Sequence, residues 1–385
     1  EWGNNSGKAL LGKCYLYGIG CQKNEDEAVK IFNDLDKVDF GYGEALLGDC
    51  YYYGWGKDKN TYEAVRLYEA ATGHNDPYGE ARLGFCLFYG IGNLGKNRED
   101  AFSHFLAAAD AGQSWAYAWV AYCYHYGYGI GQDYDHAYRY AQRAGDENDT
   151  MGQRMMGICH YYGHGVEQDK KTAYKWFETA STDDFAKVWL GRCRLDMGSS
   201  KAAVECFTQV KDDKSGGYGA RSEATAWLSY CRLHGSGIEF DHVVAFNLLN
   251  GISEDEHTSF SLELLGECYY WGYGTQVDES TAIDLFNRVI QTDDSDDKYE
   301  LKYTENHGCA YCWLGYAYHD ACGVAKNDSL AKEMLRRAVL SGDDFFVWSE
   351  DDREEEGYVT IAKKRLAEWY GLEVSTDGSL QSKSK

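Results

Sequence analysis

Four residues near the C-terminal end of the sequence have the types and the spacing that suit a zinc ion. Cys309 and Cys312 form a Cys-x-x-Cys pair, and His319 and Cys322 follow shortly after it. Thiolate and imidazole are ligands that tetrahedral zinc prefers. Cys312 and Cys322, however, occupy positions that small or apolar residues hold elsewhere in the repeat described below. We therefore expect no metal and no cofactor, and keep these four residues as the metal candidate to be checked.

Most of the other cysteines are spaced too regularly for a metal site. Eight of the 13 recur at intervals of 34 to 38 residues. If each marks one repeat, neighbouring thiols lie a helix-packing distance of about 8–10 Å apart, whereas a disulfide needs Cα atoms within about 7 Å. We expect small buried apolar side chains here, and the absence of an evident pairing favours a reducing compartment. The column consists of Cys14, Cys50, Cys86, Cys123, Cys159, Cys193, Cys231 and Cys268.

Aromatic residues follow this cysteine column at two fixed distances. Residues two positions apart on a helix point about 200° apart, so one row should pack between repeats while the other reaches the surface. The alternative is that both rows are mostly buried. An exposed row would offer a partner apolar area and hydroxyl groups. The row one residue after the cysteine contains Tyr15, Tyr51, Tyr124 and Tyr269. The row three residues after it, which we predict to bind a partner, contains Tyr17, Tyr53, Tyr89, Tyr126, Tyr162 and Trp271.

These columns belong to a repeated unit of two helices. Segments such as residues 44–53 place small and apolar groups at i, i+3 and i+4, the period of a helix. A Gly after the first helix suits a left-handed C-terminal cap, and a polar stretch with Asp or Asn starts the second helix. In most units an Ala follows 14 residues after the cysteine position, with a large apolar group four residues later. Repetition at this period is the signature of a solenoid, here with about nine units.

The full pattern is specific enough to suggest a family. Ala-x-x-Leu-Gly-x-x-Tyr-x-x-Gly-x-Gly followed by Asp/Asn-x-x-x-Ala-x-x-Tyr/Phe resembles the Sel-1-like repeat, a relative of the tetratricopeptide repeat, over residues 7–341. The resemblance implies an all-α, right-handed α-solenoid whose first helices line a concave surface, and a role as scaffold or adaptor. The unit at 186–215 lacks the Gly-x-Gly loop, and the unit from 261 carries a long acidic insertion, so local geometry should depart from the pattern at both.

Three segments are expected along the chain. Residues 1–341 form the repeat solenoid. Residues 342–372 form an acidic linker and a C-terminal capping helix, because the segment from Tyr358 to Tyr370 is amphipathic and the end of a solenoid needs a cover. Residues 373–385 are polar and small, and we expect a disordered tail there.

Composition and charge exclude several classes of protein. The 385 residues contain 43 Gly but one Pro, whereas disordered and collagen-like chains are rich in Pro. No stretch of 18 apolar residues is present, which argues against membrane insertion. The formal net charge of −24 argues against nucleic acid as a partner and in favour of a basic protein or peptide.

We predict a protein–protein interaction scaffold that is not an enzyme, since no motif supplies a nucleophile. One alternative is a structural subunit that stacks through its solenoid ends in a larger complex. Another is a hydrolase of the kind suggested for some Cys-rich relatives. We expect a cytoplasmic location, because no disulfide pairing is evident among the cysteines, with an organelle lumen or secretion after N-terminal processing as the alternative.

Overall fold

The computed structural model describes residues 2–213, 217–291, 308–341, 346–348, 355–375 and 378–382. Within these residues the regular structure comprises 19 α-helices, one short 3₁₀ helix at Glu254–Glu256 and two small antiparallel hairpins. The predicted all-α solenoid class is confirmed. The chain forms two compact units, Glu1–Asp183 and Asp184–Lys385, and each is described by itself.

The first unit contains five helix pairs. The two helices of a pair pack on each other, and the second helix also packs on the first helix of the next pair. This is the nearest-neighbour packing of a repeat protein. The helices are α1 (Trp2–Tyr17), α2 (Glu25–Asp36), α3 (Gly41–Tyr53), α4 (Thr61–Gly73), α5 (Pro77–Tyr89), α6 (Arg98–Asp110), α7 (Ser114–Tyr126), α8 (Tyr134–Asp146), α9 (Thr150–Tyr162) and α10 (Lys170–Thr179).

Residues in the loop of each repeat determine where the helices end and begin. Gly54, directly after α3, has a φ of 81°, a left-handed conformation that a Cβ would strain, and its N–H donates to the carbonyl of Cys50. Asn60 begins α4, because its side-chain oxygen accepts hydrogen bonds from the N–H groups of Tyr62 and Glu63. The predicted Gly cap and polar helix start are therefore confirmed in this loop.

The helices of a pair approach each other closely at a glycine in the first helix. A Cβ added to Gly48 would lie 2.6 Å from the ring carbon Cε1 of Tyr68 on α4, so this position has room only for hydrogen. Cys50 lies two residues later and is completely buried. Every cysteine of the column is a free thiol, and all are buried except the half-buried Cys14. The cysteine column therefore consists of mostly buried side chains that pack between helices, as its spacing predicts.

The second unit contains four helix pairs and one further helix. The unit that lacks the Gly-x-Gly loop still forms a pair, since the short turn at Met197–Ser199 joins its helices. The acidic insertion, residues 292–307, lies outside the described residues. The helices are α11 (Asp184–Asp196), α12 (Ser200–Asp212), α13 (Tyr218–His234), α14 (His242–Asn250), α15 (Ser259–Trp271), α16 (Glu279–Gln291), α17 (Gly308–Asp320), α18 (Asp328–Ser341) and α19 (Tyr358–Tyr370).

The helix α19 packs on α17 and α18. Strand β1 (Phe346–Trp348) pairs with β2 (Glu355–Gly357), and β3 (Leu372–Val374) pairs with β4 (Leu380–Ser382). The second hairpin corrects the prediction of a disordered tail from residue 373.

The correction has a physical reason. Val374 and Leu380 pack against the core of the second unit, and Nη1 of Arg336 donates to the carbonyl of Gly378 over 2.9 Å. Residues 342–345 and 349–354 of the predicted linker, and 376–377 and 383–385 of the predicted tail, lie outside the described residues.

Candidate partner-binding surface

Three aromatic rings from two successive repeats meet at the surface of the first unit. Tyr17 ends α1, Tyr53 ends α3, and Trp55 follows in the loop. Trp55 stacks on Tyr53 with ring centroids 4.3 Å apart, and Tyr17 meets Trp55 edge-on at 5.9 Å. Tyr17 remains 50% exposed and Tyr53 49% exposed. Two of the predicted partner-binding residues thus belong to one exposed group.

Four partly buried rings on α3, α5 and α7 continue this group. Tyr52 meets Phe85 edge-on at 6.1 Å, and Phe85 contacts both Tyr89 at 4.9 Å and Trp115 at 6.1 Å. Tyr52 also meets Tyr53 at 4.7 Å, which joins the two groups. We call the resulting set of seven rings the aromatic surface: Tyr17, Tyr52, Tyr53, Trp55, Phe85, Tyr89 and Trp115.

A buried ion pair lies beneath the aromatic surface. Nε of Arg82, on α5, is 2.7 Å from Oδ1 of Asp49, on α3, and both residues are at most 4% exposed. The hydroxyl groups of Tyr68 and Tyr78 also donate to the Asp49 carboxylate. A buried charge is tolerated only when it is paired and hydrogen-bonded. These contacts therefore hold α3, α4 and α5 in one arrangement.

The Arg82 guanidinium also holds the rings above it. Its central carbon lies within 6 Å of several ring centroids, the range of a cation–π contact. These contacts fix rings that lie on different repeats against a single charged group, so the aromatic surface is supported from behind. The distances are 5.0 Å to Tyr52, 5.4 Å to Tyr53, 5.4 Å to Phe85 and 5.8 Å to Trp115.

The hydroxyls of Tyr17 and Tyr52 in this surface are neutral. The pKa of Tyr17 is raised to about 12, mainly by burial and next by the negative charge of the Asp49 carboxylate. Burial also raises the pKa of Tyr52. At physiological pH each hydroxyl can therefore donate and accept hydrogen bonds. The surface combines apolar ring area with polar groups at the ring edges, a combination that is common in protein interfaces.

The predicted row does not continue with the same exposure. Tyr126 is only 8% exposed and packs against Tyr122 and Tyr128. Tyr162 is half-buried and stacks on His164 with centroids 5.2 Å apart. The members of the row after Tyr89 are therefore largely covered by their neighbours. In the first unit the exposed members of the row are Tyr17 and Tyr53.

Two histidines lie beside the inner end of the row. Nδ1 of His164 is 3.0 Å from Nε2 of His125. Burial lowers the pKa of His125 to about 3 and that of His164 to about 4. Both rings are neutral at neutral pH, so neither ring carries a charge that a partner could contact.

Trp271 belongs to the second unit and forms a separate group. It is 48% exposed and meets Trp313 edge-on at 5.6 Å. Nε1 of Trp313 donates to the buried carboxylate of Glu267 over 2.9 Å.

The other aromatic row, represented by Tyr15, Tyr51, Tyr124 and Tyr269, is partly buried at all four positions. Neither row is fully buried.

The four residues of the metal candidate have other contacts. Sγ of Cys309 donates to Glu267, and burial raises the pKa of the buried Cys312 thiol to about 12, which disfavours a thiolate ligand. His319 stacks on Trp369 at 3.9 Å and is hydrogen-bonded to the Tyr370 hydroxyl on the capping helix. Cys322 is half-buried in the loop after α17. Within the described residues these four do not form a group with metal-ligand distances.

Four members of the aromatic surface were missed by sequence reasoning. Phe85 and Trp115 precede Tyr89 and Trp119 by four residues, so a search at helical spacing could have placed each on a shared helix face. Trp55 occupies a loop position that the sequence gives no reason to place against Tyr53. Tyr52 lies between the two predicted rows. The role of Arg82 depends on contacts between repeats and has no local signal.

Comparison with known proteins identifies the repeat. The sequence profile described as Sel1 repeat matches eight segments, which together cover more than half of the chain: 6–33, 41–76, 77–113, 116–149, 150–184, 222–250, 259–288 and 310–343. The chain belongs to the Sel1 repeat family. The gap between 184 and 222 contains the repeat without the Gly-x-Gly loop, which this Sel1 repeat protein nevertheless folds as the pair α11 and α12.

Several solved structures resemble this Sel1 repeat protein. The Escherichia coli antigen c5321, described as having an SLR fold, is 19% identical, with 89% of this chain and 79% of that chain covered and a TM-score of 0.44. A Sel1 repeat protein from Oxalobacter formigenes is 28% identical, with coverages of 46% and 73% and a TM-score of 0.38. The human IFIT1 dimer with m7Gppp-AAAA is 15% identical, with coverages of 88% and 72% and a TM-score of 0.45.

No curated protein matches the sequence. Among the helices in the described part of the chain, none is long and apolar enough to cross a membrane.

Proposed function

We propose that this Sel1 repeat protein is a scaffold that binds a partner protein or peptide on the aromatic surface of its first unit. Sel1 and related helical repeats typically mediate protein–protein interactions and are generally not catalytic. The observation that carries the proposal is the contiguous set of seven rings, two of them about half exposed, over the buried Arg82–Asp49 pair. Large rings held rigidly lose little conformational entropy when a partner binds.

The partner is expected to be an extended segment that crosses several repeats. Tyr17, Tyr53 and Trp55 supply apolar area at one end of the surface, and Phe85 and Trp115 continue it across the next two first helices. Binding energy in interfaces concentrates in a few aromatic and arginine positions. We therefore expect the exposed pair Tyr17 and Tyr53 to supply most of the affinity.

The charge of the chain bears on the choice of partner. With a net charge of −24, the protein attracts basic segments and repels acidic ones at long range. We propose a basic partner, whose association rate should fall as salt is raised through the physiological range, because exposed charges are screened over about 8–10 Å.

Peptide selection followed by affinity measurement tests the proposal. Peptides selected from a random library on the full chain should lose at least about tenfold in affinity when Tyr17→Ala and Tyr53→Ala are combined. Tyr62→Ala is the matched control, since Tyr62 is 64% exposed on the second helix α4 and should leave affinity unchanged. If the selected peptides bind the double variant as tightly as the wild type, while both proteins melt alike, the proposal is wrong.

A second candidate is self-association through α1. Leu10 and Leu11 on this helix are 57% and 47% exposed, and Ile19 in the following loop is 60% exposed. Exposed aliphatic side chains that cluster on one helix favour burial against another surface. Light scattering over a concentration series distinguishes the candidates, because self-association raises the apparent mass with concentration and a monomeric scaffold does not. Leu10→Glu should abolish any such rise.

A further inference from the structure

Three side chains with metal-ligating atoms lie together in the first unit, away from the aromatic surface. Asp39, Glu44 and His74 each offer one ligand atom, and these atoms lie within 4.8 Å of one another. In the part of the chain that the structure describes, no other three His, Cys, Asp or Glu residues meet this condition. We propose that these three residues form a binding site for a divalent transition metal ion, with zinc as the expected occupant.

The distances suit direct coordination. Nδ1 of His74 is 2.9 Å from Oε2 of Glu44. Zinc binds histidine nitrogen and carboxylate oxygen at about 2.0–2.2 Å, so two ligands at 90° to 109° are separated by about 3.0–3.4 Å. An ion could therefore replace the proton between Nδ1 and Oε2 with a small movement of the side chains. Asp39 offers a carboxylate oxygen within 4.8 Å of both of these atoms, and a further movement of its side chain would bring this oxygen to the same ion.

Each ligand is held by a different element of the repeat. Glu44 is on α3 and its side chain is 3% exposed, whereas the His74 side chain, at the end of α4, is 39% exposed. Asp39 lies in the turn between α2 and α3 with a φ of 53°, and its N–H donates to the carbonyl of Asp36. A fixed buried ligand with two accessible ones leaves an entry path and room for water in the remaining coordination positions.

Gly41 allows the start of α3 to pack closely against the residues that follow α4. A Cβ added to Gly41 would lie 3.1 Å from Cβ of His74 and 2.8 Å from Cβ of Asp76. Asp76 is the N-cap of α5 and adds a third carboxylate to this region. Two carboxylates, those of Glu44 and Asp39, act on the His74 imidazole, and a divalent cation would offset charge that a single proton on His74 offsets only in part.

The donor set indicates the class of metal. One imidazole and two carboxylates suit Zn²⁺, Mn²⁺ or Fe²⁺ better than Ca²⁺ or Mg²⁺, which favour all-oxygen sites. The hydrogen bond to Glu44, with smaller contributions from the charges of Glu44 and Asp39, raises the pKa of His74. Metal binding must displace this proton, so affinity should fall as pH decreases. Glu44 and Asp39 are the charged groups that act on His74.

The next repeat supplies an internal comparison. Asn75, with a φ of 55°, holds the turn position of Asp39, and Glu80 holds the position of Glu44. The position of His74 is occupied by Ala111, and Glu80 instead pairs with His104 from the middle of α6. The turn and the glutamate therefore recur in the next repeat, but the histidine at the end of the second helix does not. Asp39→Asn is a conservative test for this reason, because Asn already holds the equivalent turn.

Titration of the chelator-treated full chain with Zn²⁺ tests the proposal. We expect one equivalent to bind, with affinity reduced at least about tenfold by His74→Ala and by Asp39→Asn, and unchanged by the matched control His104→Ala. Melting curves of the metal-free proteins show whether each variant is folded. No binding at millimolar Zn²⁺, or equal binding by the wild type and both variants, would overturn the site.

A second probe separates this site from the cysteines of the chain. Co²⁺ bound by nitrogen and oxygen ligands lacks the near-ultraviolet charge-transfer band that thiolate ligands produce. We expect Co²⁺ to bind without this band and to be displaced by Zn²⁺, while Mg²⁺ at the same concentration does not compete. A thiolate band that persists in His74→Ala would assign the metal to cysteine and contradict the proposal.

Discussion

Arg82 and Asp49 form an ion pair, 2.7 Å from Nε to Oδ1, directly beneath the aromatic surface of the first unit. The pair joins the first helices of two successive repeats. Its guanidinium carbon lies 5.0 Å from the ring centroid of Tyr52 and 5.4 Å from that of Phe85. One charged group thus links the packing of the repeats to the position of the rings that we propose to bind a partner.

Removing one member of this pair should be costly. Arg82→Met leaves the Asp49 carboxylate buried without its counter-charge, and we expect a loss of about 3–5 kcal/mol in the free energy of unfolding. Equilibrium denaturation in urea measures it. The double variant Arg82→Met with Asp49→Leu should recover part of the loss, because no unpaired charge remains. A single variant as stable as the wild type would show that the pair does not support the surface.

Gly48 tests the close approach of the helices. An Ala in a helix is ordinarily more stable than Gly by about 1 kcal/mol, yet the added Cβ would lie 2.6 Å from Cε1 of Tyr68. We expect Gly48→Ala to destabilise the protein by about 1–3 kcal/mol. Gly7→Ala on α1 is the control, since nothing lies within 4 Å of its Cβ, and should be neutral or stabilising. Equal effects of both changes would contradict the packing described.

His125 should make stability depend on pH in the acid range. It is buried and neutral in the folded chain, with a pKa lowered to about 3 by burial, whereas an unfolded histidine has a pKa of about 6.5. Below about pH 6.5 the unfolded state therefore binds the extra proton, and stability falls as pH decreases, by about 1.4 kcal/mol per pH unit for this residue.

Chemical denaturation at pH 7, 6 and 5 measures this dependence. The slope should be smaller in His125→Asn than in the wild type. Identical slopes would mean that His125 is protonated in the folded state.

Tyr358 should fix the capping helix α19. Its hydroxyl donates to the buried Glu267 carboxylate over 2.5 Å, and burial raises the pKa of Glu267. Tyr358→Phe removes one donor from this carboxylate, which should cost about 1–3 kcal/mol and speed amide hydrogen exchange in α19. Tyr370→Phe, whose hydroxyl reaches the exposed Asp328, should have a smaller effect. Unchanged amide hydrogen exchange in Tyr358→Phe would show that the hydrogen bond to Glu267 does not hold α19 in place.

The sequence predicted the fold well because the repeat multiplies each signal. Members of the repeated columns, such as Cys50 and Gly48, and helix caps, such as Gly54 and Asn60, indicate the local conformation. Their recurrence at the repeat period makes this pattern recognisable in the sequence. The hairpin after α19 was missed, since its strands are short and depend on contacts of Val374 and Leu380 with the core.

The candidate site was predicted less completely. Tyr17 and Tyr53 are exposed, as the prediction of a partner-binding row requires. Tyr126 in the same row is buried, because it packs against Tyr122 and Tyr128. Trp55 joins the surface from a loop, where no helical spacing predicts its contact. Contacts between residues far apart in sequence leave no periodic signal in a single chain.

Photo-crosslinking tests the central claim, binding at the aromatic surface, most directly. A photoreactive phenylalanine analogue placed at Tyr17, Tyr53 or Tyr62 would be irradiated with a selected peptide, and the crosslinked products identified by mass spectrometry. We expect the peptide to crosslink at positions 17 and 53 and not at position 62. Crosslinking at position 62 alone, with none at 17 or 53, would contradict the account.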